Sequence, residues 1–154
     1  TILRPGGVTQ EELQEVLGEV QLDRGLVDKE TTPKAPGMKY THYAPEAEMT
    51  IVRGIAQNVI KEINRLTAEH KALGQRVGIL ATDETKDCYD AQVILSMGSS
   101  SNLYTAAATI FDALRQFDKQ DVHVIYAEAL KEENIGAAVM NRMKKAAGFR
   151  LIEV

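Results

Sequence analysis

The chain has 154 residues, a formal net charge of −4, one cysteine and no tryptophan. That length suits one domain, or one domain with an appendage, and it can bury about two-thirds of its unfolded surface. Apolar residues at 44% and charged residues at 26% exclude a disordered chain, lone Cys88 excludes an internal disulfide or a cysteine zinc site, and the mild acidity leaves no electrostatic footprint for nucleic acid.

No apolar run approaches the roughly 18 residues of a transmembrane helix, and no secretory core opens the chain. Its cysteine usage fits a reducing compartment, so a cytoplasmic location is expected. The first residue is Thr1 rather than methionine, followed by the apolar-basic TILRPGG, which reads as a piece of something longer. TILR is strand-like, and Pro5-Gly6-Gly7 predicts a turn. Thr9 with Glu12 is a capping box, in which hydroxyl and carboxylate each satisfy an orphan backbone N–H. The helix it starts has Leu13, Val16 and Leu17 on one face and ends near Gly18, a fitting C-cap. A helix this short is marginal alone in water, TILR has no evident partner strand nearby, and the EVQLDRGLVDKE that follows is acidic and weakly patterned. Residues 1–30 therefore read as the end of a domain whose body lies elsewhere.

Residues 31–48, TTPKAPGMKYTHYAPEAE, contain Pro33, Pro36 and Pro45, three of the chain's four prolines, which forbid regular helix and disfavour a central strand. By composition this is a linker, yet it gathers Met38, Lys39, Tyr40, His42 and Tyr43 into one short stretch. Aromatic and basic groups on a pinned loop suit stacking on a base and neutralising phosphate. Two tyrosines equally suit docking of the linker on a domain face, and spacing alone leaves both open.

From residue 49 onward strands and helices alternate. MTIVRG reads as a strand, and Ile55, Val59, Ile63 and Leu66 then recur at helical spacing. RVGILAT and AQVILSMG are further strands, the second entering the polar turn Gly98-Ser99-Ser100-Ser101-Asn102. Leu103, Ala106, Ile110, Leu114 and Phe117 mark one face of a helix, and VHVIYAE a fourth strand. Ile135, Val139, Met143 and Ala146 mark the last helix, and FRLIEV a short closing strand. Nearly continuous apolar strands between amphipathic helices predict a mostly parallel sheet covered on both faces. Residues 49–154 are thus expected to form a small Rossmann-like α/β domain of about five strands.

The GSSSN turn falls where such sheets bind ligands, beyond a strand's C-terminal end and at a helix N-terminus, so its N–H groups and hydroxyls suit an anion. Ser and Asn are also ordinary caps, and no glycine-rich nucleotide fingerprint accompanies them. Asp83, Glu84, Asp87 and Asp90 surround Cys88 at a spacing that matches no known metal loop, so they read as a solvated loop with a bystander thiol. His70 reads as a surface residue near a helix end, and His123 as facing a strand neighbour. Arg142, Lys144 and Lys145 fall late in the last helix, favouring its dipole or meeting an acidic partner.

The segment KAPGMKYTHYAPEA resembles the linker signature S-P-G-M-K-Y-x-H-Y-A-P of the long-form threonylcarbamoyl-AMP synthases, with Ala35 at the usual serine position. Upstream, ILRPGGVT resembles the end of that family's YrdC-like catalytic domain. Downstream, IFDALRQFD, IYAE and GAAVMNRMKKAAG resemble its C-terminal domain, so the likeness spans the chain in the family's order.

The resemblance implies a division into the catalytic domain's tail (1–30), a lid linker (31–48) and a Rossmann-like accessory domain (49–154). It implies a reaction joining L-threonine, bicarbonate and ATP, the last with Mg2+, into threonylcarbamoyl-adenylate with release of pyrophosphate. The product feeds N6-threonylcarbamoylation of adenosine 37 in tRNA. It implies that Arg4 contacts the nucleotide and that the lid brings Lys39, Tyr40, His42 and Tyr43 to it. Most catalytic residues would lie in the larger domain that this chain lacks, and the chain alone is expected to be inactive. Two alternatives stand beside this. Residues 49–154 form a regulatory or docking module touching tRNA, a tRNA-modification enzyme or a small nucleotide, or the chain is an independent small-molecule-binding Rossmann protein.

Overall fold

The computed structural model describes residues 1–23 and 44–154. Helix α1, Gln10–Leu17, begins at the expected capping box: the Glu12 N–H donates to Thr9 Oγ1 at 3.2 Å and the Thr9 N–H to Glu12 Oε2 at 2.7 Å. It ends at Gly18 with φ 77°, and it buries none of its residues, leaving Val16 82% exposed. TILR does find a partner. Ile2 makes a single parallel bridge with Leu22, its N–H donating to the Gln21 carbonyl at 2.7 Å while Asp23 N–H donates back to Ile2 at 2.9 Å. One bridge ties the two ends of this segment together where a longer strand was expected.

The rest is an α/β layer structure. Strand β1 spans Glu48–Arg53, α2 Ala56–Ala72, β2 Val77–Ala81, β3 Val93–Ser96, α3 Leu103–Lys119, β4 Val124–Glu128, α4 Ile135–Ala146 and β5 Leu151–Glu153. The five strands form one sheet in the order β3-β2-β4-β1-β5, and every pairing is parallel. A parallel sheet buries both faces, and alternate residues divide accordingly. Met49, Ile51, Leu80, Ile125 and Ala127 pack with α3 and α4, which contribute Ile110, Leu114, Phe117, Val139 and Met143. Val52, Val77, Ile79, Val124 and Tyr126 face Val59 and Ile63 of α2 on the other side. The expected helical stripes hold except at Ile55, which is 67% exposed because it caps α2 from outside the first turn.

The topology locates a crevice. The connection leaving β2 runs outward to β3, whereas the one leaving β4 runs the other way to β5. Neighbouring strands whose connections diverge form a switch point, where open α/β sheets place ligands at the strands' C-terminal ends.

Candidate functional site

The residue at that crevice is Glu128, the last of β4, only 7% exposed. Burying a carboxylate without partners is costly, and this one has three. Its Oε2 accepts the Thr82 N–H at 2.9 Å, and its Oε1 accepts the Thr85 hydroxyl at 2.5 Å and the Tyr89 hydroxyl. Burial, reinforced by the Glu128 carboxylate, pushes the Tyr89 phenol well above its usual range, so this ring stays a neutral donor. The crevice is thus filled by the chain's own groups.

The neighbouring GSSSN turn is engaged in the same way. Glu84, following β2, accepts the Ser99 hydroxyl at 2.5 Å and the Ser100 N–H at 2.9 Å. The Ser100 N–H above all, then Ser99, lowers the Glu84 carboxyl to about 2. Asn102 caps α3 by accepting the Tyr104 N–H at 3.3 Å, and the Ser99 N–H donates to Thr105 Oγ1 at 2.9 Å. Donors of this turn that suit an external anion, the Ser99 hydroxyl and the Ser100 N–H, therefore hold an internal one.

The acidic residues around Cys88 point to separate partners. Asp83 accepts the Ser96 hydroxyl at 2.7 Å, and Asp90 pairs with Lys71 at 3.0 Å. Among the described residues no group of three or more His, Cys, Asp or Glu could hold a metal ion. Cys88 is exposed.

His70 departs from its expected surface role. It is half-buried at the end of α2, with Nε2 2.8 Å from the Tyr126 hydroxyl and Nδ1 2.5 Å from Gln75 Oε1. The amide oxygen can only accept, so Nδ1 is the donor in that pair. His123 meets a strand neighbour, its Nδ1 accepting the Arg76 N–H at 2.9 Å. Of the late cations in α4, Arg142 stacks over Phe111 at 5.1 Å from the ring centre, and Lys144 pairs with Glu132 at 2.8 Å.

Of the five nucleotide-binding residues the resemblance implies, the structure places one. Arg4 is exposed, and its charge adds to burial in lowering the Lys145 ammonium, so the two cations face a common region. Lys39, Tyr40, His42 and Tyr43 lie outside the described residues. The segment carrying Arg4 is seated against the start of α4, where Ile2, Pro5, Val8, Leu22, Glu132 and Asn134 line a cavity of about 100 Å³. Glu132 also takes Arg53 at 2.5 Å, tying β1 and α4 to the same loop.

A family model described as threonylcarbamoyl-AMP synthase, C-terminal domain, matches residues 8–148. The chain belongs to that family. The threonylcarbamoyl-AMP synthase of Bacillus subtilis (strain 168) is 44% identical over 151 residues, covering 98% of this chain and 42% of that protein. The one from Pyrococcus abyssi is 41% identical over 154 residues, 99% of this chain and 44% of its own length. The crystal structure of the P. abyssi Sua5 protein complexed with L-threonine superposes with a TM-score of 0.88 at 41% identity, covering 99% of this chain and 43% of that one. A C-terminal Sua5 domain from Pyrococcus horikoshii, solved by itself, gives a TM-score of 0.58 at 32% identity, covering 72% of this chain and all of its own. The chain thus spans less than half the length of these curated synthases, and its α/β fold is that of their C-terminal domain.

Sequence reasoning missed Glu128. Its one local signal was an acid closing the otherwise apolar VHVIYAE strand, at the end where α/β sheets do their chemistry.

Proposed function

We propose that this chain is the C-terminal part of an enzyme that joins L-threonine, bicarbonate and ATP into threonylcarbamoyl-AMP and releases pyrophosphate. The product then serves the N6-threonylcarbamoylation of adenosine 37 in tRNA, in the cytoplasm. The observation that carries this is the family membership, with 98% of the chain aligned to a synthase of which it spans 42%. No helix among the described residues is long and apolar enough to cross a membrane.

Within that enzyme we assign residues 1–30 to the tail of the catalytic domain, 31–48 to a lid and 49–154 to an accessory domain. Arg4 presents a guanidinium to the nucleotide phosphates, and Lys39 adds an ammonium from the lid. Tyr40, His42 and Tyr43 cover the nucleotide, and lid closure excludes water that would hydrolyse a labile carbamoyl-adenylate. Magnesium enters with ATP as part of the substrate. The accessory role of residues 49–154 is supported by the sheet's ligand edge, which Glu128 and Glu84 already fill.

Pyrophosphate release with ATP, threonine and bicarbonate tests the assignment. The isolated chain is expected to show no turnover, and the full-length enzyme to turn over. In the full-length enzyme, Lys39→Ala and Tyr40→Ala should each cost roughly tenfold or more, the scale of one electrostatic or positioning contact to the transition state. Turnover by the isolated chain would overturn the division of labour, and full activity of both variants would overturn the lid assignment.

A further inference from the structure

The three donors that converge on Glu128 all come from one short segment, the start of the connection between β2 and β3. Thr82 lies next to the strand, Thr85 three residues on, and Tyr89 just past a single 3-10 turn at Lys86–Cys88. We propose that Thr82–Tyr89 is a strap latched across the switch-point crevice by the Glu128 carboxylate, and that it opens as a unit when the latch is broken.

Elsewhere the strap is tied to the β3–α3 turn, by the Asp83 N–H on the Gly98 carbonyl at 2.9 Å and, at the surface, by Asp83 on Ser96 and Glu84 on Ser99 and Ser100. Asp83, Glu84, Asp87 and Cys88 are all exposed, and only Thr82 and Tyr89 are buried. The Lys86–Asp83 pair, at 3.5 Å, lies at the surface, where such pairs contribute little. At its far end, Asn64 of α2 donates to the Cys88 carbonyl at 2.9 Å and accepts the Asp90 N–H at 3.2 Å, again at the surface.

A segment with one turn of regular structure and few buried apolar contacts is drawn from the low end of local stability. Its protection therefore depends on the Tyr89 ring, packed in the α2 side of the core, and on the charge-assisted bonds to Glu128, two of which are buried. Space to move is present. Asp87, Cys88, Tyr89 and Asp90 frame, with Asn64 and Lys71 of α2, an open cavity of about 350 Å³. The strap thus has solvent on one flank and its lock on the other. The latch rests on nothing about the reaction catalysed.

Native-state amide hydrogen exchange of the chain, in wild type, Tyr89→Phe and Glu128→Gln, tests it. The amides of Thr82 and Asp83, which bond from the strap to Glu128 Oε2 and to the Gly98 carbonyl, report its opening. Losing one hydrogen bond to a buried carboxylate should accelerate their exchange roughly 10- to 100-fold. Amides of β1 and α3 should keep their wild-type rates. Unchanged strap amides would overturn the latch, as would acceleration by one common factor across strap and core. Should Glu128→Gln fail to fold, Tyr89→Phe decides alone, because it removes a single hydroxyl and keeps the ring packed.

Discussion

Gly78 occupies the middle of the sheet, in β2 between Ile125 of β4 and Val93 of β3. A Cβ placed there would lie 2.6 Å from Cε1 and 2.8 Å from Cδ1 of Phe117, and 3.4 Å from Ile125 Cγ1. Carbon atoms pack comfortably at about 3.5–4.0 Å, so in Gly78→Ala the Phe117 ring must retreat by about an ångström. Phe117 is 1% exposed in a close-packed cluster with little room to yield, and overpacking of this kind costs about 1–3 kcal/mol. The backbone entropy removed from the unfolded chain by alanine returns about 0.4–1 kcal/mol, so the net loss lies between about 0 and 2.6 kcal/mol and centres near about 1.3 kcal/mol. Phe117→Leu alone removes ring volume and leaves a void, a loss of about 1–3 kcal/mol. In the double variant the new methyl group enters the space the ring vacated. The two losses should then fall short of their sum by at least about 1 kcal/mol, as expected for residues in contact. Urea unfolding followed by circular dichroism gives all four stabilities, with equal slopes confirming that the denatured state is unchanged. Additivity within about 0.3 kcal/mol would refute the claim that this glycine exists to admit the Phe117 ring.

Thr67, on α2 and 1% exposed, has a buried hydroxyl without a hydrogen-bond partner among the described residues, so Thr67→Val should stabilise by about 1 kcal/mol and raise the urea midpoint. Both side chains are β-branched and alike in helix propensity, so a neutral or destabilising result would mean that the hydroxyl is bonded after all. The depressed Glu84 carboxyl, held near 2 by Ser100 and Ser99, should show a titration midpoint in that region by carboxyl-carbon NMR. Because its folded value lies below its unfolded one, its stabilising effect is complete above about pH 4.5 and fades as the pH falls toward 2. The stability gap between wild type and Glu84→Gln should therefore be constant near neutral pH and shrink across that window, whereas a gap that does not change with pH would contradict the assigned turn.

What the sequence made legible was what neighbours in the chain decide. The Thr9–Glu12 box needs only two side chains three positions apart, and it formed as read. The stripe Ile110, Leu114 and Phe117 needs only helical periodicity, and the continuous apolar runs of β2 and β4 need only a sheet covered on both sides. The order β3-β2-β4-β1-β5 is another matter, because parallel partners meet only through long crossovers and no local pattern tells β1 that β4 will lie beside it. The same limit hid the partner of TILR, since Leu22 belongs to a weakly patterned stretch on the far side of α1.

The candidate site was less legible for a further reason. Its chemistry is made of groups that look ordinary one by one: a glutamate ending a strand, two threonines after another, a tyrosine in an acidic loop. Tyr89 and Glu128 are 39 positions apart, and only the switch point between β2 and β4 makes them neighbours. His70 shows the same effect, since a helix-end histidine suits the dipole until Tyr126, 56 positions later, offers it a hydroxyl. Serines and an asparagine at a helix start are equally competent to hold an external anion or a glutamate from the preceding loop. Which of the two occurs depends on whether Glu84 reaches the turn, and that is decided by the length and path of the β2–β3 connection. The strap therefore governs both carboxylate contacts at the sheet's C-terminal edge: Thr82, Thr85 and Tyr89 grip Glu128, while Glu84, from the same segment, fills the turn before α3. A perturbation that releases one should loosen the other, because a single length of backbone carries the groups that make both contacts.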